Sequence, residues 1–107
     1  VNYVNVGQIP ALPLGACVET MAMIDGAGIH PCIVADIPEY LVEVMRPQAD
    51  CQRWLVGGVI NRDRSLVMQA LYRDPQCMGM KPQDIKKMAE ELFDANRECL
   101  SKYGIDW

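Results

Sequence analysis

The chain has 107 residues, 50% hydrophobic and 22% charged, with ten Lys and Arg against fourteen Asp and Glu for a formal charge of −4. That length holds one domain, and the apolar fraction is too high for a disordered segment. An acidic balance without a basic cluster argues against nucleic acid or an anionic membrane as partner, and no stretch reaches the roughly 18 consecutive apolar residues of a spanning helix.

The first third reads as β structure. Val1 to Val6 alternates as a short strand would, and Gly7 to Gly15, punctuated by Pro10 and Pro13, reads as a loop. Cys17 to Ile24 is a second strand and Asp25-Gly26-Ala27-Gly28 a turn. Ile29 to Ala35 is the third strand, closing a hairpin. The second strand is apolar at both parities (Val18, Met21, Ala22, Met23, Ile24), the pattern of a strand buried on both faces.

The remainder reads as helix. Pro38 suits a first helical position, and Tyr40, Leu41, Val44 and Met45 recur at helical spacing. Pro47 is expected to break or kink that helix. Cys51, Trp54, Leu55, Gly58 and Val59 continue the period. Asn61 is the expected N-cap of a helix carrying Leu66, Val67, Ala70 and Leu71, which Asp74-Pro75 ends. Pro82 opens a last helix whose stripe is Ile85, Met88, Ala89, Leu92, Cys99, Leu100 and Tyr103. Lys86–Glu90 and Lys87–Glu91 pair on its wet side, and Gly104 caps it. Strands followed by helices predict an α+β fold: a small antiparallel sheet of three N-terminal strands covered by C-terminal helices.

Few residues carry chemistry. The five cysteines are scattered without a Cys-x-x-Cys pair, as reduced thiols serving as small core residues would be. His30-Pro31-Cys32 lacks the further ligands of a structural zinc site. Gly26-Ala27-Gly28 runs into a strand with Pro31 where a third glycine would stand, so it reads as a hairpin turn and not as a dinucleotide fingerprint. Glu19, Asp25, Asp36 and Glu39 read as strand-edge, turn and helix-start residues and not as a glycosidase carboxylate pair.

An ordered set of short motifs is more informative. Asn5-Val6-Gly7-Gln8-Ile9, Leu12-Pro13, Val18-Glu19, Asp25-Gly26, Gly28-Ile29-His30-Pro31 and Ile37-Pro38 follow one another. Gln69-Ala70-Leu71, Asp74-Pro75, Glu91-Leu92 and Ala95-Asn96 complete the set. Together they resemble the C-terminal domain of glycoside hydrolase family 4 over essentially the whole chain, with Val4, Met21 and Gly57-Gly58 departing from the family's usual residues. The resemblance implies a lactate dehydrogenase-like C-terminal domain and an NAD-dependent exception to the two-carboxylate scheme of glycosidases. It further implies oxidation of the sugar by NAD⁺, elimination of the glycosidic bond, water addition and reduction, with a divalent metal such as Mn²⁺ polarising the sugar carbonyl. The family's nucleotide-binding fold, metal ligands and base precede this segment, so neither NAD nor a metal is expected to bind here, and Cys32 and His30 are not those ligands. The family's Asn-x-Gly turn lies beside the substrate cleft, which makes Asn5, Gly7 and Gln8 the substrate-proximal candidates. Asn5 has a second reading, closing the turn on its own backbone.

The resemblance also implies a glycoside substrate, of the α-galactosidase, α-glucosidase or α-galacturonidase branch, and contacts to the enzyme's own N-terminal nucleotide-binding domain. A cytoplasmic homo-oligomer is expected. Residues 1–107 would form one substrate and assembly domain, inactive by itself. The chain opens on Val1-Asn2-Tyr3-Val4, within an apparent strand and without a basic leader, as a piece of a longer protein would. The competing reading is a non-catalytic interaction domain whose apolar sheet face binds a partner. A reading frame continuing about 300 residues upstream separates the two.

Overall fold

The computed structural model describes residues 1–105, and its backbone gathers into two units, Val1–Arg53 and a second that begins at Trp54. In the first, strand β1 (Asn2–Val4) pairs antiparallel with β2 (Cys17–Glu19) in the register Asn2↔Glu19, Tyr3↔Val18 and Val4↔Cys17. Strand β3 (Ala22–Asp25) pairs antiparallel with β4 (Gly28–Pro31), from Ala22↔Pro31 to Asp25↔Gly28, across the two-residue loop Gly26-Ala27. The α+β class and the hairpin are as the sequence predicts. The predicted three-stranded sheet resolves into two two-stranded sheets, because the predicted second strand changes partner midway. Thr20 exchanges both backbone hydrogen bonds with Val1 (2.7 and 3.1 Å). Its successor Met21 turns its carbonyl to the opposite edge, where the Cys32 amide donates to it at 2.8 Å.

Helix α1 (Glu39–Asn61) begins in this unit and covers the β1–β2 sheet. Ile9, Leu12, Ala16, Val18 and Ala49 form the buried cluster, with Ile37 and Met45 packed against it. The helix runs through Pro47 without a break, at the position where a break or kink is expected. Pro47 cannot donate to the Glu43 carbonyl, but both residues are exposed, so solvent can satisfy that carbonyl. Val42, Met45 and Ala49, spaced three and four apart, hold the turns on either side against the core. The second strand is not buried on both faces as predicted: up to Thr20 only one face is covered, with Cys17 and Glu19 exposed, and after it neither is. Val18 and Thr20 are buried, while Met21, Met23 and Ile24 are 80%, 67% and 70% exposed.

The second unit holds the end of α1, then α2 (Arg64–Arg73), a 3-10 turn (Pro75–Cys77), α3 (Pro82–Ala95) and α4 (Arg97–Lys102). Asp63, not Asn61, caps α2: its carboxylate accepts from Ser65 N at 2.9 Å and Leu66 N at 3.3 Å. Asn61 is still in α1 and donates back to the Gly57 carbonyl. Gly58 lets α2 approach, since a Cβ there would lie 2.7 Å from Val67 Cγ2. Ile85 and Ala89 are the buried stripe of α3, and Lys86–Glu90 and Lys87–Glu91 pair on its outer side at 3.9 Å each. The predicted last helix is interrupted at Asn96, whose side chain donates to the Leu92 carbonyl and competes with the helical ladder. Gly104, at φ +67°, caps α4 as predicted; its amide bonds Ser101 O, and the Ile105 amide bonds Leu100 O.

Candidate functional site

The candidate residues Asn5, Gly7 and Gln8 share one loop, from Asn5 to Ala16, that leaves β1 and returns into β2. Its base is closed by the Asn5 amide on Ala16 O (2.7 Å) and the Gly15 amide on Asn5 O (2.9 Å). Ile9 and Leu12 anchor the loop in the apolar cluster. Asn5 lies at its centre, 1% exposed, and its Nδ2 donates to the carbonyls of Ile9 (3.0 Å), Leu12 (3.0 Å) and Pro13 (3.2 Å). Its Oδ1 accepts from Gly7 N at 3.2 Å and Ile9 N at 3.1 Å. Gln8, 3% exposed, donates to Val4 O at 2.9 Å and accepts from Val6 N at 2.7 Å. A buried amide side chain in such a loop does what a turn of backbone would do, satisfying groups that a short irregular segment cannot pair within itself. Gly7 sits at φ +122°, a conformation that a side chain would strain.

Both amides therefore face inward, holding the loop, while Val6 and Leu14 are its exposed apolar side chains. What the loop offers outward is backbone together with the Val6 and Leu14 side chains. Two residues without a sequence signal support it: the Arg46 guanidinium donates to Ala11 O at 2.7 Å, and Gln52 Oε1 accepts from Cys17 N at 2.9 Å. Both come from α1, some 35 positions away, and no local spacing marks them.

The hairpin end is the other polar cluster of this unit. One oxygen of Asp25 accepts from Ala27 N (2.7 Å), from Gly28 N (3.2 Å) and meets His30 Nε2 at 3.0 Å. The His30 hydrogen bond, then that of Ala27, holds the Asp25 carboxyl below its ordinary value of 3.8. The turn's amides are thus taken by a carboxylate of the same chain, and the turn joins two strands, so it does not fit a nucleotide pyrophosphate. Among the described residues no group of three or more His, Cys, Asp or Glu side chains could hold a metal ion. These residues fit neither NAD nor a divalent metal. In the second unit, Arg64, Ser65, Met68, Tyr72, Lys86 and Glu90 line an open concavity of about 550 Å³. Arg64 there stacks over Phe93 at 4.9 Å and Lys86 pairs with Glu90. It contains none of the candidate residues.

This chain is similar to known proteins in sequence and in fold. Among curated relatives, an alpha-galacturonidase of Lachnoclostridium phytofermentans is 31% identical over 104 residues, covering 95% of this chain and 22% of its own. An alpha-galacturonidase of Thermoanaerobacter italicus is 30% identical over 94% of this chain and 22% of its own. An alpha-galactosidase of Rhizobium meliloti is 27% identical over 96% and 21%. The chain thus spans about a fifth of the length of the curated relatives it matches. In fold it is similar to a 6-phospho-alpha-glucosidase from gut microorganisms, solved in complex with NAD and glucose-6-phosphate, with a TM-score of 0.81 at 23% identity over 91% of this chain and 22% of that one. The profile of the family 4 glycosyl hydrolase C-terminal domain matches residues 1–77, and to that family this chain belongs.

Proposed function

We propose that this chain is the C-terminal substrate and assembly domain, residues 1–107, of a longer NAD- and divalent-metal-dependent glycosidase that hydrolyses O-glycosyl bonds. The observation that carries the reading is the family match over residues 1–77, with relatives named for glycoside hydrolysis aligned over nearly the whole chain. Because the relatives include two alpha-galacturonidases and an alpha-galactosidase, an α-galacturonide or α-galactoside is the substrate class we favour over a phosphorylated glycoside. The nucleotide and the metal belong to the polypeptide outside this chain, since the residues here do not fit them. NAD has support from the solved neighbour that carries it; Mn²⁺, a cytoplasmic location and homo-oligomerisation rest on the family resemblance alone.

Within that reading the 5–16 loop borders the substrate cleft. Asn5 and Gln8 fix its backbone, and Gly7 permits its sharp bend. Their part is to hold an outline complementary to a sugar; no proton or hydride step is assigned to them.

The test is expression of the longer reading frame and assay on α-galacturonides and α-galactosides with NAD⁺ and Mn²⁺. Hydrolysis should require both, fall on chelation and return with Mn²⁺. The 107-residue chain alone should show no heat of NAD⁺ binding and no hydrolysis. Micromolar NAD⁺ binding by this chain, or a longer protein inert on every α-glycoside, would overturn the proposal. In the second case the exposed apolar hairpin (Met21, Met23, Ile24) favours a non-catalytic interaction domain.

A further inference from the structure

We propose that the outer edge of β3 is completed by the polypeptide that precedes Val1, which continues β1 past Thr20 and turns the β3–β4 hairpin into a three-stranded sheet. The inference rests on the reading that the chain is part of a longer protein, as relatives more than four times its length suggest.

The geometry of segment 16–25 points to it. Along a strand, successive residues turn their N–H and C=O groups to alternate edges. Ala16 and Thr20 face β1, through the bonds Asn5 N to Ala16 O and the reciprocal pair of Thr20 with Val1. Cys17 faces the opposite edge, where its amide meets Gln52, and Met21 faces it too, where its carbonyl meets Cys32. By the same alternation Met23 and Asp25 turn toward β4, and Ala22 and Ile24 turn toward the edge on which Val1 lies. Pro31 agrees with this assignment. It stands opposite Ala22, at a position of β4 whose missing N–H removes nothing from the β3–β4 ladder.

Ala22 and Ile24 thus present their backbone groups on the line along which β1 arrives. Extending the β1–β2 register places the second residue before Val1 opposite Ala22 and the fourth opposite Ile24. Both would be closely hydrogen-bonded pairs, like Val1 with Thr20. A two-stranded hairpin exposed on both faces is marginal in isolation, and an open edge invites pairing. Met23 at 67% and Ile24 at 70% exposure show that no part of the described chain covers this hairpin.

Amide hydrogen exchange tests the assignment at single residues. In the 107-residue chain the Ala22 and Ile24 amides should exchange freely, and those of Met23 and Asp25 more slowly. In the longer protein Ala22 and Ile24 should slow by about 100-fold or more. A synthetic extension, Thr-Val-Thr-Val-Thr placed before Val1, should produce the same protection in this chain by itself. Ala22→Pro removes an N–H from the outer edge alone. It should leave the Met23 and Asp25 amides of the 107-residue chain as they were and lower the melting temperature of the longer protein. Ile24→Pro serves as the second variant if the first misfolds. Fast exchange of Ala22 and Ile24 in the longer protein would overturn the proposal. So would protection in the short chain that grows with its concentration, which would assign the edge to a second copy. Hydrolysis by a longer protein with unprotected amides sinks this inference alone, and protected amides in a protein inert on glycosides sink the functional reading alone.

Discussion

Replacing Asn5 by Ala tests the loop most directly. The side chain serves five backbone partners, and it is buried, so water does not reach the site freely. The Ile9 carbonyl keeps a bond from Leu12 N (3.1 Å), and the Gly7 amide and Pro13 carbonyl are only partly buried. The Ile9 amide and the Leu12 carbonyl are left as the buried orphans. A buried group that loses its partner costs about 1–3 kcal/mol, so with two of them Asn5→Ala should destabilise the chain by about 2–6 kcal/mol. In a chain of this length that lowers Tm by about 10 °C or more, readable by circular dichroism. Asn5→Asp keeps the acceptor for Gly7 and Ile9 but sets a charged oxygen against three carbonyls. Burial and those carbonyls raise its pKa, so its deficit should shrink as pH falls through that raised value and the protonated acid donates again. Asn5→Ala within about 0.5 kcal/mol of the parent would refute this account of the loop. A drop in kcat/KM of the longer enzyme at unchanged Tm would instead assign the amide to substrate.

The adjacent glycines of α1 should respond with opposite signs. Gly58→Ala meets Val67 Cγ2 at 2.7 Å and two backbone atoms at 3.0 Å, and should cost about 1–3 kcal/mol, whereas Gly57→Ala meets nothing within 4 Å and should gain about 0.5–1 kcal/mol in denaturant titration. Asp63→Ala leaves the Ser65 and Leu66 amides uncapped, for a loss of about 1 kcal/mol by the same measurement. At the hairpin, His30→Ala should move the Asp25 carboxyl titration up toward 3.8 by carbon NMR. Because the folded value is depressed, whatever Asp25 contributes is present above pH 3.8 and is lost as pH falls through the lower, folded value.

Local chemistry made much of this protein legible in its sequence. Apolar runs marked the β region, Gly26-Ala27 between them gave the hairpin, and three-four spacing with Pro82 and Gly104 marked the start and the cap of the helical C-terminal stretch, though not its interruption at Asn96. An ordered set of short motifs gave the family. What failed depended on groups remote in sequence or on competition for one backbone atom. Pro47 reads as a break or a kink, but the helix continues through it, with Val42, Met45 and Ala49 buried or packed on its inner side. Asn61 reads as the cap of α2, but the backbone path keeps it in α1 and brings Asp63 to the free amides. A run apolar at both parities predicts burial on both faces, yet only Val18 and Thr20 on one face are buried, and where the strand changes partner is decided by the backbone hydrogen bonds of Thr20 and Met21. For Asn5 and Gln8 the sequence supplied two chemically capable amides, equally able to meet a sugar or their own loop. Only the folded loop, which surrounds them with backbone carbonyls and amides in a buried setting, turns both inward.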